Sequence, residues 1–244
     1  MTPEGDANPE RPISDCRYPR RVSRNRAIAV GLEVTDKMVF AVALDWPGWC
    51  RAGRDREAAL EALARAAPRY AKVVEAAGVP FPVDDEPSFE VVEELPGDAA
   101  TAFGVPGAIF AADRRRTTKA DAERLGAITA AAWAVLDEVA ATAPAELRKG
   151  PRGGGRDRDK LLAHVVGADG GYARTMGIKH AEIEPTDRAA RDELRAAMLE
   201  VLRHPSDGTP LAGKKWPQRY AARRVTWHAL DHLWEMEDRS EPAG

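Results

Sequence analysis

The spacing of apolar side chains divides the chain into a strand-rich first part and a helical second part. Two stretches near the start are rich in β-branched and apolar residues and are separated by a short Thr-Asp turn. We predict strands over 24–34 and 37–45 that form a hairpin. The Trp-Pro-Gly-Trp stretch at 46–49 ends the second strand, and 88–95 is predicted to form a further strand.

A stretch with helical periodicity lies between the predicted strands. Over 54–77, apolar residues recur three and four positions apart, which predicts an amphipathic helix. Pro68 stands inside this stretch, so we expect a kink or a break into two helices. Gly78 and Pro80 are expected to end the helix.

The second part of the chain has only helical periodicity. Helices are predicted at 118–142, 157–178, 186–203 and 216–238. Helices of this number and length are typical of a four-helix bundle. A Gly- and Pro-rich stretch, which is basic at its end, separates them from the strands and is interpreted as a linker.

These elements together predict an α+β protein with a small β-α-β domain followed by an all-α, up-down four-helix bundle. The first domain is placed at 23–95, the linker at 96–116 and the bundle at 117–240. Residues 1–22 are polar and Pro-containing, which indicates a disordered tail. A basic cluster overlaps the end of this tail; without an aromatic platform it is interpreted as a solvated arm, and nucleic-acid binding is not expected. The cluster consists of Arg17, Arg20, Arg21, Arg24 and Arg26.

Composition narrows the class of protein. The chain has 244 residues, 44% of them apolar, and a net charge of −3, so its overall charge gives no reason to expect an anionic partner. No apolar run approaches the roughly 18 residues of a membrane span, and the start lacks the apolar core of a signal peptide. We therefore expect a cytoplasmic protein that does not bind membranes. Cys16 and Cys50 provide no disulfide framework, and Cys50 is interpreted as structural.

Two of the five histidines lie four residues apart in the last predicted helix, within WHALDHLWE. His228 and His232 therefore share one helix face, together with small apolar residues that should face inward. A buried neutral imidazole needs a partner for each ring nitrogen, so two together favour a proton-donor network or a metal ion. Asp231 and Glu235 flank this face and are interpreted as solvated groups or as groups that support the ligands.

A third histidine, His164, lies on the inward face predicted for helix 157–178. Three imidazoles from two helices can surround one divalent transition metal and leave an open position, which is the catalytic type of site. Zinc, nickel, iron and copper all accept imidazole, so residue type does not choose among them. The alternative is that these are packed core histidines without a metal. His180 and His204 fall in predicted loops and are interpreted as surface residues.

The last predicted helix also has a second apolar face, almost opposite the histidines. Trp227, Leu230 and Trp234 form it, and we predict that it is not bare to solvent. It could be covered by the bundle core, by the first domain or by a second copy of the chain in a homodimer. Trp133 is most simply a core residue.

The second part of the chain resembles the DinB-like superfamily. The segments LLAHVVGADGGYARTMGI and RRVTWHALDHLWEMEDR carry the resemblance, which covers roughly 115–240. The superfamily includes thiol-dependent isomerases and transferases, and its three-histidine metal site maps onto His164, His228 and His232. The resemblance implies a divalent metal cofactor and, for some activities, a low-molecular-weight thiol.

The first part of the chain is similar to the HicB-like antitoxin domain. In that family a strand leads to a Pro-Gly turn and then to a helix; here the corresponding stretches are DWPG at 45–48 and REAAL at 56–60. The similarity covers about 24–95. A helical domain follows in place of the ribbon-helix-helix tail of that family, so the similarity implies partner binding or dimerisation and does not imply operator binding.

Two functions follow from these observations. The first is a metal-dependent enzyme, a thiol-dependent transferase or isomerase or a hydrolase, that acts on a small-molecule substrate. Tyr172 lies two helical turns beyond His164 and is the candidate substrate-binding residue, with core packing as the alternative. The second is a non-catalytic regulatory protein whose HicB-like domain binds a protein partner and whose bundle is a scaffold.

Overall fold

A computed structural model describes residues 27–81, 87–150 and 155–240. The predicted tail at 1–22, the basic cluster and Cys16 lie outside the described residues.

The described strands form one mixed sheet. They are β1 (Ile28–Val34), β2 (Val39–Ala43), β3 (Cys50–Gly53) and β4 (Phe89–Pro96), in the order β3-β2-β1-β4. β1 pairs antiparallel with β2, as the predicted hairpin requires, and parallel with β4. The sequence did not predict β3, because its four residues, CRAG, are too few to show an alternating pattern.

The stretch predicted as one interrupted helix is two helices, α1 (Arg56–Arg65) and α2 (Ala67–Ala76). The break falls at Ala66, so that Pro68 stands in the first turn of α2, where its missing N–H costs nothing. Asp55 caps α1 by accepting a hydrogen bond from the backbone N–H of Ala58 (2.9 Å). The predicted break is therefore confirmed.

A one-turn helix, α3 (Ala99–Ala102), leads to the long helices. These are α4 (Lys119–Thr142), α5 (Arg158–Thr175), α6 (Arg188–Arg203) and α7 (Gln218–Ser240), with bounds within three residues of the predicted ones. α4 packs against α6 and α7, and α5 also packs against both. The coarse fold prediction is confirmed: the protein is mixed α+β, with a four-stranded sheet followed by helices.

The start of α4 is held by a reciprocal cap. Thr118 Oγ1 accepts a hydrogen bond from the N–H of Asp121, whose carboxylate accepts one from the N–H of Thr118 (both 3.2 Å). We expect Thr118→Ala to lower the free energy of unfolding by about 1 kcal/mol, since it removes the capping oxygen. Urea denaturation checks this, with Thr118→Ser as the matched control that keeps the hydroxyl. An alanine variant as stable as the serine variant would contradict it.

α7 joins the sheet to the other long helices. On the face opposite the histidines, Trp227 packs edge-on against Phe40 of β2, with ring centroids 6.4 Å apart. The guanidinium groups of Arg51 and Arg69 lie 5.1 and 5.5 Å from the ring centroid of Trp234. The two indoles are only 6% and 2% exposed, so the prediction that this face is covered is confirmed. The cover comes largely from the first part of the chain.

The Trp-Pro-Gly-Trp turn packs closely against α7. Gly48 has φ +85°, a backbone conformation that favours glycine, and a side chain there would collide with Thr226 and Leu230. The turn therefore approaches the helix backbone closely. Trp49, fully buried beside it, donates a hydrogen bond to the carbonyl of Leu63 in α1 (2.9 Å).

The segment predicted as a linker, 96–116, packs between the sheet and α7. Glu33 of β1 accepts hydrogen bonds from the backbone N–H groups of Gly107 and Ala108. Asp113 forms a buried ion pair with Arg223 of α7. The division into domains stays a prediction. Polar contacts attach this segment to β1 and to α7.

By length and composition, one helix in the described part of the chain could cross a membrane. It is α4, whose most apolar window is half buried inside the fold. The core helix of a folded domain passes the same test, so this is weak evidence for a membrane span.

Candidate metal centre

Three histidines from two helices meet in one cluster. His164 lies on the first half of α5, and His228 and His232 lie one turn apart on α7, which packs against α5. His228 and His232 are buried, and His164 is half-buried. The sequence predicted this set of residues from helix-face arguments, and the structure brings all three together.

The distances between the rings suit a shared cation. Nε2 of His228 and Nε2 of His164 are 3.2 Å apart, and one potential ligand atom from each histidine lies within 4.8 Å of the others. Two nitrogens bound to one tetrahedral zinc at about 2.0–2.1 Å would be about 3.3 Å apart. The closest pair therefore has the spacing of a ligand pair, and the widest separation is larger than that of a filled site. The cluster could hold a metal ion.

A chain of polar contacts fixes the ring of His232. Its Nδ1 is 2.9 Å from Glu235 Oε2, and Arg239 donates to Oε1 of the same carboxylate (2.7 Å). Arg239 also donates from Nε to the backbone carbonyl of Arg148 (2.6 Å). In the neutral tautomer in which Nδ1–H donates to Glu235, Nε2 of His232 carries no proton and can bind a cation. Glu235 therefore supports the cluster, one of the two roles predicted for it.

His228 is held in its neutral form. Burial, and then the charges of His232 and His164, lower its pKa to about 2. Burial and then the charge of His232 also lower the pKa of His164. Neutral imidazole is the form that binds metals. The buried Nδ1 of His228 has no hydrogen-bond partner in the described part of the chain, in contrast to Nδ1 of His232.

An aromatic and basic wall stands beside His228. The ring of Tyr172 lies edge-on to His228, with centroids 5.6 Å apart, and it also contacts Trp216. The guanidinium of Arg224 lies over Trp227 (4.7 Å) and near Tyr172 (5.6 Å). Tyr172 is therefore next to the cluster, where a substrate-binding residue would be needed. The sequence did not predict a role for Arg224, although this residue precedes His228 by one helical turn.

The other candidate groups lie away from the cluster. Asp231 forms an ion pair with Arg51 (3.5 Å) and stays partly exposed. His180 is half-buried, and its Nε2 contacts the backbone carbonyl of Gly170 (2.9 Å). His204 is exposed. Burial raises the pKa of the Cys50 thiol far above its usual range, as expected of a structural cysteine.

A wide surface groove lies beyond the end of α5 and beside the start of α7, at the ends of these helices that are farther from the histidines. It has a volume of about 770 Å³, and its lining includes Val201, His204 and Gln218. None of the clustered histidines lines it. We place the candidate chemistry at the histidines rather than in this groove, because ligand geometry indicates a reaction more directly than volume does.

The contact between His232 and Glu235 leads to a quantitative expectation. Groups that orient a ligating histidine typically contribute 10–100-fold to metal affinity. We expect Glu235→Gln to weaken zinc binding by roughly this factor, because the neutral amide supports the imidazole less well. Competition with a chromophoric chelator measures the change. Glu193→Gln, an exposed replacement on α6, is the matched control, and equal affinities in the two variants would contradict the role of Glu235.

The chain matches no protein-family model, and comparisons with curated proteins and with solved structures give no match either.

Proposed function

We propose that the protein is a metal-dependent enzyme in which His164, His228 and His232 bind a divalent transition metal. The observation that carries the proposal is the convergence of three imidazoles from two helices, one of them in contact with a carboxylate. Three protein ligands leave a coordination position for water or substrate. Zinc, nickel and iron all suit this set of ligands.

The resemblance to the DinB-like superfamily supports the choice of reaction. It implies a thiol-dependent transferase or isomerase, or a hydrolase, built on an up-down four-helix bundle. A divalent metal would lower the pKa of a bound water or thiol, so that a nucleophile forms near neutral pH. In this chain Tyr172 would bind the substrate beside His228, and Glu235 would keep His232 in the correct tautomer.

Packing on the far side of α7 supports a fixed site. The indoles of Trp227 and Trp234 are buried there, so the helix that carries two of the histidines is clamped from both sides. A ligand pair on a clamped helix needs little reorganisation when a cation binds. A HicB-like first part would thus act as a buttress as well as a partner-binding unit.

The test is elemental mass spectrometry of untagged protein, followed by activity measurements on metal-loaded and metal-free samples. We expect about one transition metal per chain. We also expect metal-dependent turnover, either of a nitrophenyl ester or of a chloronitrobenzene with cysteine or glutathione as the thiol. No metal after reconstitution would overturn the proposal and leave the scaffold function. A tightly bound metal that changes stability but supports no reaction would also favour the scaffold.

A further inference from the structure

One guanidinium group near the histidine cluster, that of Arg224, has no acidic partner in the described part of the chain. Arg224 lies on α7, one turn before His228. It donates from Nη1 to the carbonyl of Pro106 (2.9 Å), a neutral group. Its guanidinium is 5.6 Å from the ring of Tyr172, which in turn lies edge-on to His228 with centroids 5.6 Å apart. The charge of Arg224 is therefore close to the cluster and is not neutralised by an ion pair.

The acidic groups near the cluster are already occupied. Glu235 contacts His232 and Arg239, and Asp231 contacts Arg51. Since histidines bind metals as neutral ligands, a bound divalent cation would keep its full charge and add to that of Arg224. An anionic ligand is what such a positive region attracts.

The position of Arg224 is fixed before any ligand arrives. Its guanidinium lies over the ring of Trp227 at 4.7 Å, and Nη1 is anchored on Pro106. An arginine held in this way loses little side-chain entropy when it binds. No described carboxylate forms an ion pair with Arg224, and the planar guanidinium matches a carboxylate in a two-bond pair.

We propose that the site takes small carboxylate-bearing molecules and that Arg224 binds the carboxylate. Residues four apart on a helix have Cβ atoms about 5–6 Å from each other, so the carboxylate would lie close to His228. Tyr172 and Trp216, whose rings are 5.4 Å apart, supply an apolar wall for the rest of the molecule. The position of the reacting atom rests on the proposed metal function, whereas recognition of the carboxylate rests on Arg224 alone.

The experiment compares acids with their uncharged amides. Acetate, benzoate and phenylacetate are titrated against acetamide, benzamide and phenylacetamide by calorimetry, on both zinc-loaded and metal-free protein. At least one acid should bind roughly 10-fold or more tightly than its amide, because a hydrogen bond to a charged group is a strong one. Arg224→Gln should remove this preference, and Arg224→Lys should restore part of it.

Arg188→Gln is the matched control, since it removes the same charge from an exposed position at the start of α6. It should leave the preference unchanged. No acid preference in the wild-type protein would overturn the proposal. A preference that persists in Arg224→Gln would also overturn it, because the carboxylate would then be binding the metal alone.

Metal content measured on the same samples separates the two proposals. Protein that binds no zinc contradicts the proposed enzyme, yet an Arg224-dependent preference in the metal-free titration would still support carboxylate recognition. Protein that binds zinc but shows no Arg224-dependent preference contradicts only the recognition proposal. Circular dichroism of each variant verifies that the fold is intact.

Discussion

The double variant His228→Ala/His232→Ala is expected to lose its metal while keeping its helices. Removing two of the three ligands should lower zinc affinity by roughly a thousand-fold or more, since losing a supporting group alone typically costs 10–100-fold. His164 then remains as a half-buried residue with no ligand partner from α7. Zinc titration and elemental mass spectrometry measure the loss.

The matched control removes the two histidines outside the cluster. His180→Ala/His204→Ala deletes the same number of imidazoles and should retain one metal per chain. Zinc at 100 times its dissociation constant should stabilise the control by about 2.7 kcal/mol and leave the double variant unchanged. Equal zinc stabilisation of both variants would show that the metal binds elsewhere.

Arg195→Met is expected to lower the free energy of unfolding by about 3–5 kcal/mol at pH 7, because it strands a buried carboxylate. Arg195 of α6 donates to Asp169 of α5 (3.3 Å) and to Asp137 of α4 (3.1 Å). Its guanidinium also lies over Trp133, 5.0 Å from the ring centroid. The side chain of Asp169 is 2% exposed, so water cannot replace the lost partner.

The loss should depend on pH. Burial raises the pKa of Asp169 to about 6, even though the charge of Arg195 lowers it. Below about pH 4 the carboxyl is protonated in the folded and the unfolded chain, so its charge contributes little to the difference between wild type and variant. The destabilisation should grow as pH rises through about 6, which urea denaturation at pH 4, 6 and 8 would measure.

A second variant separates stranded charge from lost packing. Arg195→Met/Asp169→Leu removes both charges and should recover most of the stability, because a buried ion pair can be replaced by apolar groups at little cost. Asp137 keeps Arg191 as a partner in both variants. If the double variant were as unstable as Arg195→Met, packing would explain the loss instead.

Helix and strand periodicity predicted most of the fold. The long helices were placed to within three residues because their apolar spacing is regular and their ends carry Gly, Pro or charged residues. β3 escaped prediction because it is short. Its place in the sheet depends on pairing with β2, a long-range contact that no local pattern records.

The histidine cluster could be predicted because its residues are rare and their faces follow from helix geometry. His228 and His232 are one turn apart, and His164 was the matching residue on the inward face of another helix. The role of Arg224 could not be assigned in the same way. The chain has 36 lysine and arginine residues, and which of them lack an acidic partner depends on contacts such as that between Asp113 and Arg223, which join distant segments.

The shared role of α7 has a consequence for biosynthesis. The apolar face of β2 that includes Phe40 is completed by Trp227, which the ribosome adds nearly two hundred residues later. At a synthesis rate of roughly 5–20 residues per second, that face stays exposed for roughly 10–40 s before Trp227 is added. During this interval the nascent chain would expose an apolar sheet surface. Ribosome-associated chaperones should therefore bind the nascent chain more strongly than they bind the released protein.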